Sequence, residues 1–182
     1  MDNGAFAYFP MIAKRRLERE KMVVNHIKSL LVAVALLAVG TMTTSGAAAA
    51  ADDKTAIEST LSSYNAALNG GDTAAVLPLY TEDGIFMPPY SESAIGRDAV
   101  RKAYDNVFKE LKFNVKFNIA ELVQMALNWA YVRTNSAGTT AHHSTGKTTS
   151  EANQELFIFK KGDDGTWKIA RYSFSPTNPP AK

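Results

Sequence analysis

The period of the apolar residues changes once along this chain, and that change most constrains its fold. Apolar side chains recur every three to four residues after Thr55 and again after Arg97, as in amphipathic helices. Over residues 113–119 the period becomes two, which is typical of a strand with one wet face. Helices followed by consecutive strands predict an α+β domain, with helices packed on one face of a curved antiparallel sheet.

Local signals predict where these elements begin and end. Thr55 and Glu58 have the spacing of a capping box, which predicts the start of the first helix. Gly70-Gly71 predicts its end, and Asp72 is placed to cap a short second helix. The TEDG segment predicts a turn over 81–84. The predicted strands cover residues 85–87, 113–119, 129–140, 150–161 and 166–175.

The beginning of the chain has the order of a secretory signal peptide. Basic residues over 14–28 precede a continuous apolar run over 30–39, and small residues with several A-x-A registers follow. The apolar run is about half the roughly twenty residues that a membrane-spanning helix needs. We therefore predict a leader over 1–51, starting at Met1 or Met22 and cleaved near Ala49–Ala51. A periplasmic or secreted domain over 52–182 would follow, and an uncleaved N-terminal anchor is the alternative.

The positive charge of the chain belongs to this leader. The chain has 20 Lys and Arg and 18 Asp and Glu, of which residues 1–51 hold six and three. The remaining 14 basic and 15 acidic residues give no basic surface charge, so no nucleic-acid partner is predicted. The chain has no cysteine, which excludes disulfides, zinc–thiolate sites and thiol nucleophiles.

A short match to a phosphate-binding loop lies in the segment AHHSTGKTTS, residues 141–150. Such a loop needs a helix after its lysine, whereas Lys147 is followed by a predicted strand. No nucleotide partner is therefore predicted. His142 and His143 are adjacent, so on a strand they point in opposite directions, and no carboxylate has ligand-like spacing. We predict no metal site and no cofactor.

Several segments together resemble the nuclear transport factor 2-like superfamily, most strongly its SnoaL-like and SgcJ/EcaC-type bacterial branch. They are YNAALNGGDTAAVLPLYTEDGIFMPP (64–89), IGRDAVRKAY, NWAYVR (128–133) and DGTWKIARYSF (164–174). The resemblance covers nearly all of 54–175. It implies a cone of strongly bent sheet wrapped by helices, with an apolar pocket at the open end. Some members are isomerases, dehydratases, epoxide hydrolases or cyclases and others only bind or assemble, so the fold does not fix the function.

The resemblance gives one weak candidate for a catalytic residue, Tyr64. It occupies the place of the oxyanion donor in ketosteroid isomerases, where a phenol hydrogen-bonds a developing enolate without losing its proton. The place of the isomerase base is Pro88, which can neither accept nor deliver a proton. The resemblance therefore argues against ketosteroid isomerisation. Packing in the core or lining of a pocket is the alternative role for Tyr64.

Four further residues are candidates for ligand binding beside Tyr64. Trp129 and Arg133 share one face of a predicted strand, and Arg171 lies on the last one. An inward-facing arginine over aromatic rings can hold a carboxylate or an enolate. The alternative is a stripe on the outer face or at a dimer interface. Tyr90 follows Pro-Pro at the expected pocket mouth.

The carboxylates give weaker signals. Glu82 and Asp83 are adjacent in a predicted turn, where such side chains are usually solvated. Glu155 precedes the apolar run LFIF and could face either side of its strand.

Two functional hypotheses follow from these observations. In the first, an exported SnoaL-like domain binds a small apolar or aromatic molecule in a cone-shaped pocket, with or without weak isomerase, lyase or hydrolase activity. In the second, the domain is a non-catalytic dimerisation or protein-association module. The predicted partners are an unknown small molecule and a second copy of the chain, bound through the sheet. The membrane is a predicted partner only if the leader is not cleaved. The two hypotheses are distinguished by the positions of Tyr64, Trp129 and Arg133. Convergence of these side chains on a cavity would favour the first hypothesis.

Overall fold

Three helices and a six-stranded sheet make up residues 44–177, the part of the chain that a computed structural model describes, with side chains from residue 50. The segment Ala51–Lys182 is a compact unit distinct from Met1–Ala50. Residues 1–43 of the predicted leader lie outside the described residues. The helices are α1 (Thr44–Gly70), α2 (Thr73–Val76) and α3 (Arg97–Glu110), and a 3₁₀ turn (Leu77–Leu79) follows α2. The strands are β1 (Tyr80–Met87), β2 (Ala94–Ile95), β3 (Leu111–Ala126), β4 (Trp129–His142), β5 (Thr148–Lys161) and β6 (Trp167–Pro176).

The strands lie in the order β2-β1-β6-β5-β4-β3. All neighbours are antiparallel except β1 and β6, which run parallel. The long strands β3 to β6 form consecutive antiparallel pairs, so their side chains alternate between an inner face, covered by the helices, and an outer face. The predicted α+β class, with helices packed on a curved, mainly antiparallel sheet, is confirmed.

Register shifts bend this sheet. They occur in β3 between Ile119 and Glu121 and between Gln124 and Ala126, and again between β5 and β6 at Ile158/Phe159. An extra residue in one strand of a pair kinks that strand and increases its local twist. The sheet can therefore curve around α1 and α3 and enclose their apolar faces.

The predicted start of the first helix is wrong. Helix α1 begins at Thr44, and Thr55 lies inside it, where its Oγ1 donates a hydrogen bond to the Ala51 carbonyl oxygen at 3.0 Å. The run of alanines over 47–51 continues the helix, because alanine has the highest helix propensity. A threonine within a helix then bonds back to the preceding turn rather than capping a new one.

The predicted end of that helix is confirmed. Gly71 follows the last helical residue with φ +67°, a left-handed conformation that glycine adopts without strain. The Gly71 and Asp72 amides bond to the Leu68 and Ala67 carbonyl oxygens, each at 3.1 Å. The Asp72 carboxylate accepts a hydrogen bond from the Ala75 amide at 3.0 Å and caps α2, also as predicted.

Strand β1 starts earlier than predicted. The segment 81–84 lies within the strand, and its pairing with β6 shifts register between Tyr80 and Ile85. The TEDG segment, which was predicted to form a turn, is therefore an irregular part of strand β1. Strand β1 ends at Met87, before Pro88-Pro89, because proline lacks the amide that continued pairing needs.

The core lies between the helices and the inner face. Its fully buried members come from α1, α3 and the central strands and include Ile57, Tyr64, Val100, Tyr104, Phe157, Phe159 and Ile169.

Asp53 ties α1 to the sheet. Its carboxylate accepts hydrogen bonds from Lys161 Nζ at 2.6 Å, Trp167 Nε1 at 2.9 Å and Gln124 Nε2 at 3.2 Å. The three donors come from β5, β6 and β3, so one side chain fixes the helix against three strands.

Candidate functional site

An apolar cavity of about 170 Å³ opens between α1, α3 and the inner face of the sheet. Apolar and aromatic side chains line most of it, among them Phe86 of β1, Phe113 of β3 and Phe174 of β6. An apolar protein cavity of roughly 150 Å³ is large enough to hold benzene. The cavity therefore has room for a molecule of about one ring.

A chain of tyrosine hydroxyls forms one side of this cavity. The Tyr104 hydroxyl lies 2.9 Å from that of Tyr80 and 2.8 Å from that of Tyr64. Tyr64 from α1 and Tyr104 from α3 line the cavity, as does Tyr172 from β6. The Tyr64 and Tyr104 side chains are each 1% exposed. Stacking of Phe86 on Tyr104 and of Phe157 on Tyr172, at 4.9 and 4.1 Å between ring centres, fixes the rings in place.

The tyrosine chain has one hydroxyl proton more than its hydrogen bonds use. Three hydroxyls carry three protons, and the two hydrogen bonds among them use two. That proton needs an acceptor outside the chain, because a buried hydroxyl left unpaired is costly.

These phenols remain protonated over the whole physiological range. Burial raises the pKa of Tyr64 far above its usual value, and hydrogen bonds with Tyr104 and Tyr172 offset only part of that rise. Burial is also the largest cause of the raised pKa of Tyr80, Tyr104 and Tyr172. The cluster is therefore a hydrogen-bond donor rather than a base.

Polar side chains of β4 and β5 form a second wall of the cavity, with Ser136, Glu151 and Asn153 on it. Glu151 accepts hydrogen bonds from Thr140 Oγ1 at 3.1 Å and Asn153 Nδ2 at 2.8 Å. Asn153 Nδ2 also lies 3.4 Å from Ser136 Oγ. The Asn153 Oδ1 atom is buried and has no partner among the residues that the structure describes.

Glu155 lies on the same face of β5, two residues beyond Asn153. It faces inward, is 5% exposed, and its two oxygens accept hydrogen bonds from the Thr134 and Ser136 hydroxyls. Burial raises the pKa of this carboxyl, although those hydrogen bonds act in the opposite direction. The question of which way Glu155 faces is thus answered.

The structure does not bring the five sequence candidates together. Tyr64 lines the cavity, but Trp129, Arg133 and Arg171 point to the outer face. The reason is strand alternation, since Ala130 and Val132 of β4 are fully buried and their neighbours must face the other way.

On that outer face the candidates have other partners. Lys160 Nζ lies 5.5 Å from the centre of the Trp129 ring. Arg133 pairs with Glu121 at 3.2 Å, and Arg171 donates to the Asp83 carbonyl oxygen at 3.2 Å. Tyr90 is 98% exposed, with φ +61°, in the loop after β1. Trp129, Tyr131 and Arg133 therefore lie on the outer face and not on the wall of the apolar cavity. Arg133 lines a second cavity, of about 270 Å³, together with Glu155 and Leu156.

The remaining sequence candidates are solvated or inert. Glu82 and Asp83 are exposed, as predicted, and Glu82 pairs with Arg97. Pro88 lines the cavity, so the place of the isomerase base holds no titratable group.

The segment 141–150 joins β4 to β5. Gly146 forms the turn with φ +67°, Lys147 is exposed, and a strand follows rather than a helix. In residues 44–177 no three His, Asp or Glu side chains are grouped so that they could hold a metal ion. None of the described helices has the length and apolarity to cross a membrane.

Sequence reasoning missed the partners of Tyr64 and the polar wall. Tyr104 lies in the helix predicted to follow Arg97, but no pattern in that helix indicates a contact with Tyr64. A signal for the wall was present, since Glu151, Asn153 and Glu155 have the same parity as the apolar Phe157 and Phe159. Polar residues in register with buried aromatic ones on a strand indicate a buried polar site.

Comparison with protein families identifies the domain. Residues 61–172 match the model of the SnoaL-like domain. This chain belongs to the SnoaL-like family. The fold is that of the nuclear transport factor 2-like superfamily, as the resemblance implied. No curated protein matches the chain.

Solved structures support the same family. A ketosteroid isomerase-like protein from Erwinia carotovora atroseptica is 38% identical, with a TM-score of 0.67 over 69% of this chain and 96% of its own. A nuclear transport factor 2-like protein from Salmonella enterica is 14% identical, with a TM-score of 0.63 over 72% and 96%. A provisionally assigned scytalone dehydratase from Novosphingobium aromaticivorans is 19% identical, with a TM-score of 0.63 over 72% and 89%. The last two likenesses concern the fold alone.

Proposed function

We propose that this SnoaL-like domain binds a small apolar or aromatic molecule in the cavity, through an oxygen atom that accepts the spare proton of the tyrosine chain. The observation that carries the proposal is the combination of an apolar cavity with the buried, hydrogen-bonded hydroxyl-bearing side chains of Tyr64 and Tyr104 on its wall. The apolar wall favours a ring by removing it from water. The donor fixes the orientation of that ring. The names of the isomerase-like and dehydratase-like neighbours support a small-molecule site in the same fold.

Binding, rather than a particular reaction, is what the side chains favour. A proton-transfer reaction needs a free acceptor beside the donor, and Glu151 is the carboxylate among the described residues that lines the cavity. Both of its oxygens already accept hydrogen bonds, from Thr140 and Asn153. The carboxylate is therefore engaged within the polar wall rather than free beside the tyrosine hydroxyls.

Filling the cavity tests this proposal. Val107 of α3 lines the cavity and is half-buried, so Val107→Phe fills the space that a ligand would take. The matched control is Val123→Phe, the same change on β3 outside the cavity. We expect the titration of acetophenone into the wild-type protein, followed by calorimetry or ligand-observed NMR, to show saturable binding. Val107→Phe should abolish it and Val123→Phe should leave it unchanged.

Two results would refute the binding proposal. One is that neither acetophenone nor related one-ring ketones and phenols bind the wild-type domain. The other is that the two variants lose binding equally. Thermal unfolding of each variant, with a transition as cooperative as that of the wild type, shows whether the fold is intact.

We propose as a second candidate function that the outer face associates with another copy of this chain. A row of apolar side chains crosses three strands there, because Val123 lies opposite Tyr131 and Tyr131 opposite Ile158. Leu156, also on this face, is 42% exposed. Contiguous apolar side chains on a sheet face are typical of association surfaces.

Tyr131→Lys tests this second candidate. It places a charge in the middle of the row without touching the cavity wall. We expect light scattering to show a dimer for the wild type at micromolar concentration and a monomer for the variant. A wild-type protein that stays monomeric at high micromolar concentration would exclude association through this face in its simplest form.

A further inference from the structure

We propose that this cavity selects its ligand by charge and takes a one-ring molecule that carries an ammonium group. This inference rests on the proposed function and specifies the class of ligand. It depends on three features of the cavity wall. They are a carboxylate, the lack of a cation among the described lining residues, and a large share of aromatic rings.

Glu151 of β5 supplies the carboxylate. Its side chain is half-buried and lines the cavity. One of its oxygens accepts a hydrogen bond from Thr140 Oγ1 at 3.1 Å and the other from Asn153 Nδ2 at 2.8 Å. Both donors are neutral, and each carboxylate oxygen can accept a second hydrogen bond. The carboxylate is therefore held in place without a positive partner among these contacts.

The wall holds no positive charge that would balance Glu151. No Lys, Arg or His is among the described residues that line the cavity. Glu155 follows on the same face of β5 and is 5% exposed. Burial is the largest cause of the raised pKa of Glu155, and the negative charge of Glu151 adds to that rise. The field of Glu151 thus extends along the inner face of the sheet beside the cavity.

Aromatic side chains are the largest group on the rest of the wall, among them Tyr64, Phe86 and Phe117. The faces of aromatic rings carry partial negative charge and attract an ammonium group. An aliphatic wall would give a cation no such compensation for its lost hydration. Rings together with a carboxylate are therefore a favourable environment for an ammonium ligand.

The same wall opposes an anion. A ligand carboxylate would leave water for an apolar space and lie near Glu151, with no described cation on the wall to pair with it. Like charges that face each other in a binding site are unfavourable, whereas complementary charges favour the correct ligand. Affinity should therefore decrease from a cationic to a neutral to an anionic ligand of the same size.

Matched one-ring ketones test the inference on the full chain. 4-(Aminomethyl)acetophenone carries an ammonium group at neutral pH, 4-(hydroxymethyl)acetophenone is uncharged, and 4-acetylbenzoate carries a carboxylate. The 3-isomers of all three are included, and the better isomer of each pair is compared. We expect calorimetry to show the amine binding at least about tenfold more tightly than the alcohol. The benzoate should bind at least about tenfold more weakly than the alcohol.

Glu151→Gln assigns the charge preference to the wall. It removes the charge and keeps the size of the side chain, so the difference between amine and alcohol should fall below about threefold. Glu121→Gln makes the same change in net charge on the outer face, where Glu121 pairs with Arg133. This control should keep the wild-type preference.

Val107→Phe assigns the binding of the amine to the cavity. Val107 lines the cavity, so the larger ring should abolish binding of the amine. Val123→Phe, outside the cavity, should leave that binding unchanged.

Each outcome decides the inference. If the amine binds no more tightly than the alcohol, or if the benzoate binds as tightly as the amine, the inference is wrong while the binding proposal stands. It is also wrong if Glu151→Gln and Glu121→Gln weaken amine binding equally, since net charge alone then explains the preference. If none of the ketones binds, acetophenone included, both proposals are wrong. Should Glu151→Gln fail to fold, the wild-type series and Val107→Phe still decide the question.

Discussion

Tyr64 shows how a residue chosen for one reason can be important for another. Its position on the helix indicated a core or pocket-lining residue, and the family resemblance implied an oxyanion donor. In the structure it is 1% exposed and lines the cavity, so it is packed and faces the ligand space at once. What the sequence could not predict was its partner, because Tyr104 lies 40 positions away on α3.

Tyr64→Phe removes one hydroxyl and keeps the ring. We expect the free energy of unfolding to fall by about 1 kcal/mol, since one buried hydrogen bond is lost. Affinity for acetophenone should fall about five- to tenfold in calorimetry, because Tyr64 lines the cavity and can no longer donate a hydrogen bond there. The control is Tyr90→Phe, which removes a hydroxyl from a side chain that is 98% exposed and should change neither quantity. Unchanged affinity in Tyr64→Phe would show that this tyrosine is only a core residue.

Glu155 makes stability depend on pH in a direction opposite to that of an ordinary carboxyl. Its pKa is raised above the usual value of 4.5, mainly by burial, so the folded state holds the proton more tightly than the unfolded chain does. The stabilisation is therefore complete below pH 4.5 and is lost as the pH rises through the raised pKa.

Glu155→Gln should remove this dependence. We expect the free energy of unfolding of the wild type, measured in urea, to fall relative to that of the variant as the pH is raised from 4.5 toward neutrality. Glu121→Gln on the outer face, where Glu121 pairs with Arg133, is the control and should follow the wild type. A constant difference between wild type and Glu155→Gln from pH 4 to 8 would contradict the raised pKa.

At the scale of elements, the long antiparallel strands were the most predictable part. The expected strands at 129–140 and 150–161 differ from β4 and β5 by only two residues at one end of each. Alternation within them fixes which side chains share a face, but not which face is covered. That face depends on where α1 and α3 pack, so the sequence left Arg133 and Glu155 open.

Helix α1 was harder to bound, because a capping-box sequence also occurs inside helices. Its attachment to the sheet depends on Asp53, which accepts hydrogen bonds from three side chains that are far away in the sequence. No local pattern indicates such a contact. A chain cleaved near Ala49–Ala51 would keep it, because Asp53 follows the predicted site.

Asp53→Ala should loosen α1 from the sheet. We expect a loss of about 2–4 kcal/mol in urea unfolding, because hydrogen bonds to a charged group are lost and the buried Trp167 indole N–H is left unpaired. The neighbouring Asp52 is exposed, so Asp52→Ala is the control and should change stability little.

The same contact predicts sensitivity to acid. The hydrogen bond from Lys161 is the largest cause of the lowered pKa of Asp53, so its stabilising effect is present above the usual pKa of 3.8 and is lost as the pH falls through the lowered pKa. Asp53→Ala should therefore lose less stability than the wild type on acidification. An equal loss in both would contradict this assignment.

At the scale of the whole molecule, the order of helices and strands was sufficient to predict the fold, and the SnoaL-like family match agrees with it. The position of the cavity was not predictable to the same extent. It arises where bulged strands and two helices leave a gap. Residues from α1, α3, β4 and β5 meet there, and of these only the polar residues of β5 carry a local sequence signal.

The central claim is that ligand binds in this cavity, between the tyrosine chain and the polar wall, and not on the outer face. Titration of the ¹⁵N-labelled protein with acetophenone, followed by amide chemical shifts, tests it most directly. We predict saturable shifts at cavity residues such as Tyr64, Ser136 and Asn153, with Arg133 and Leu156 unchanged. Shifts confined to Arg133, Leu156 and their outer-face neighbours would contradict the claim.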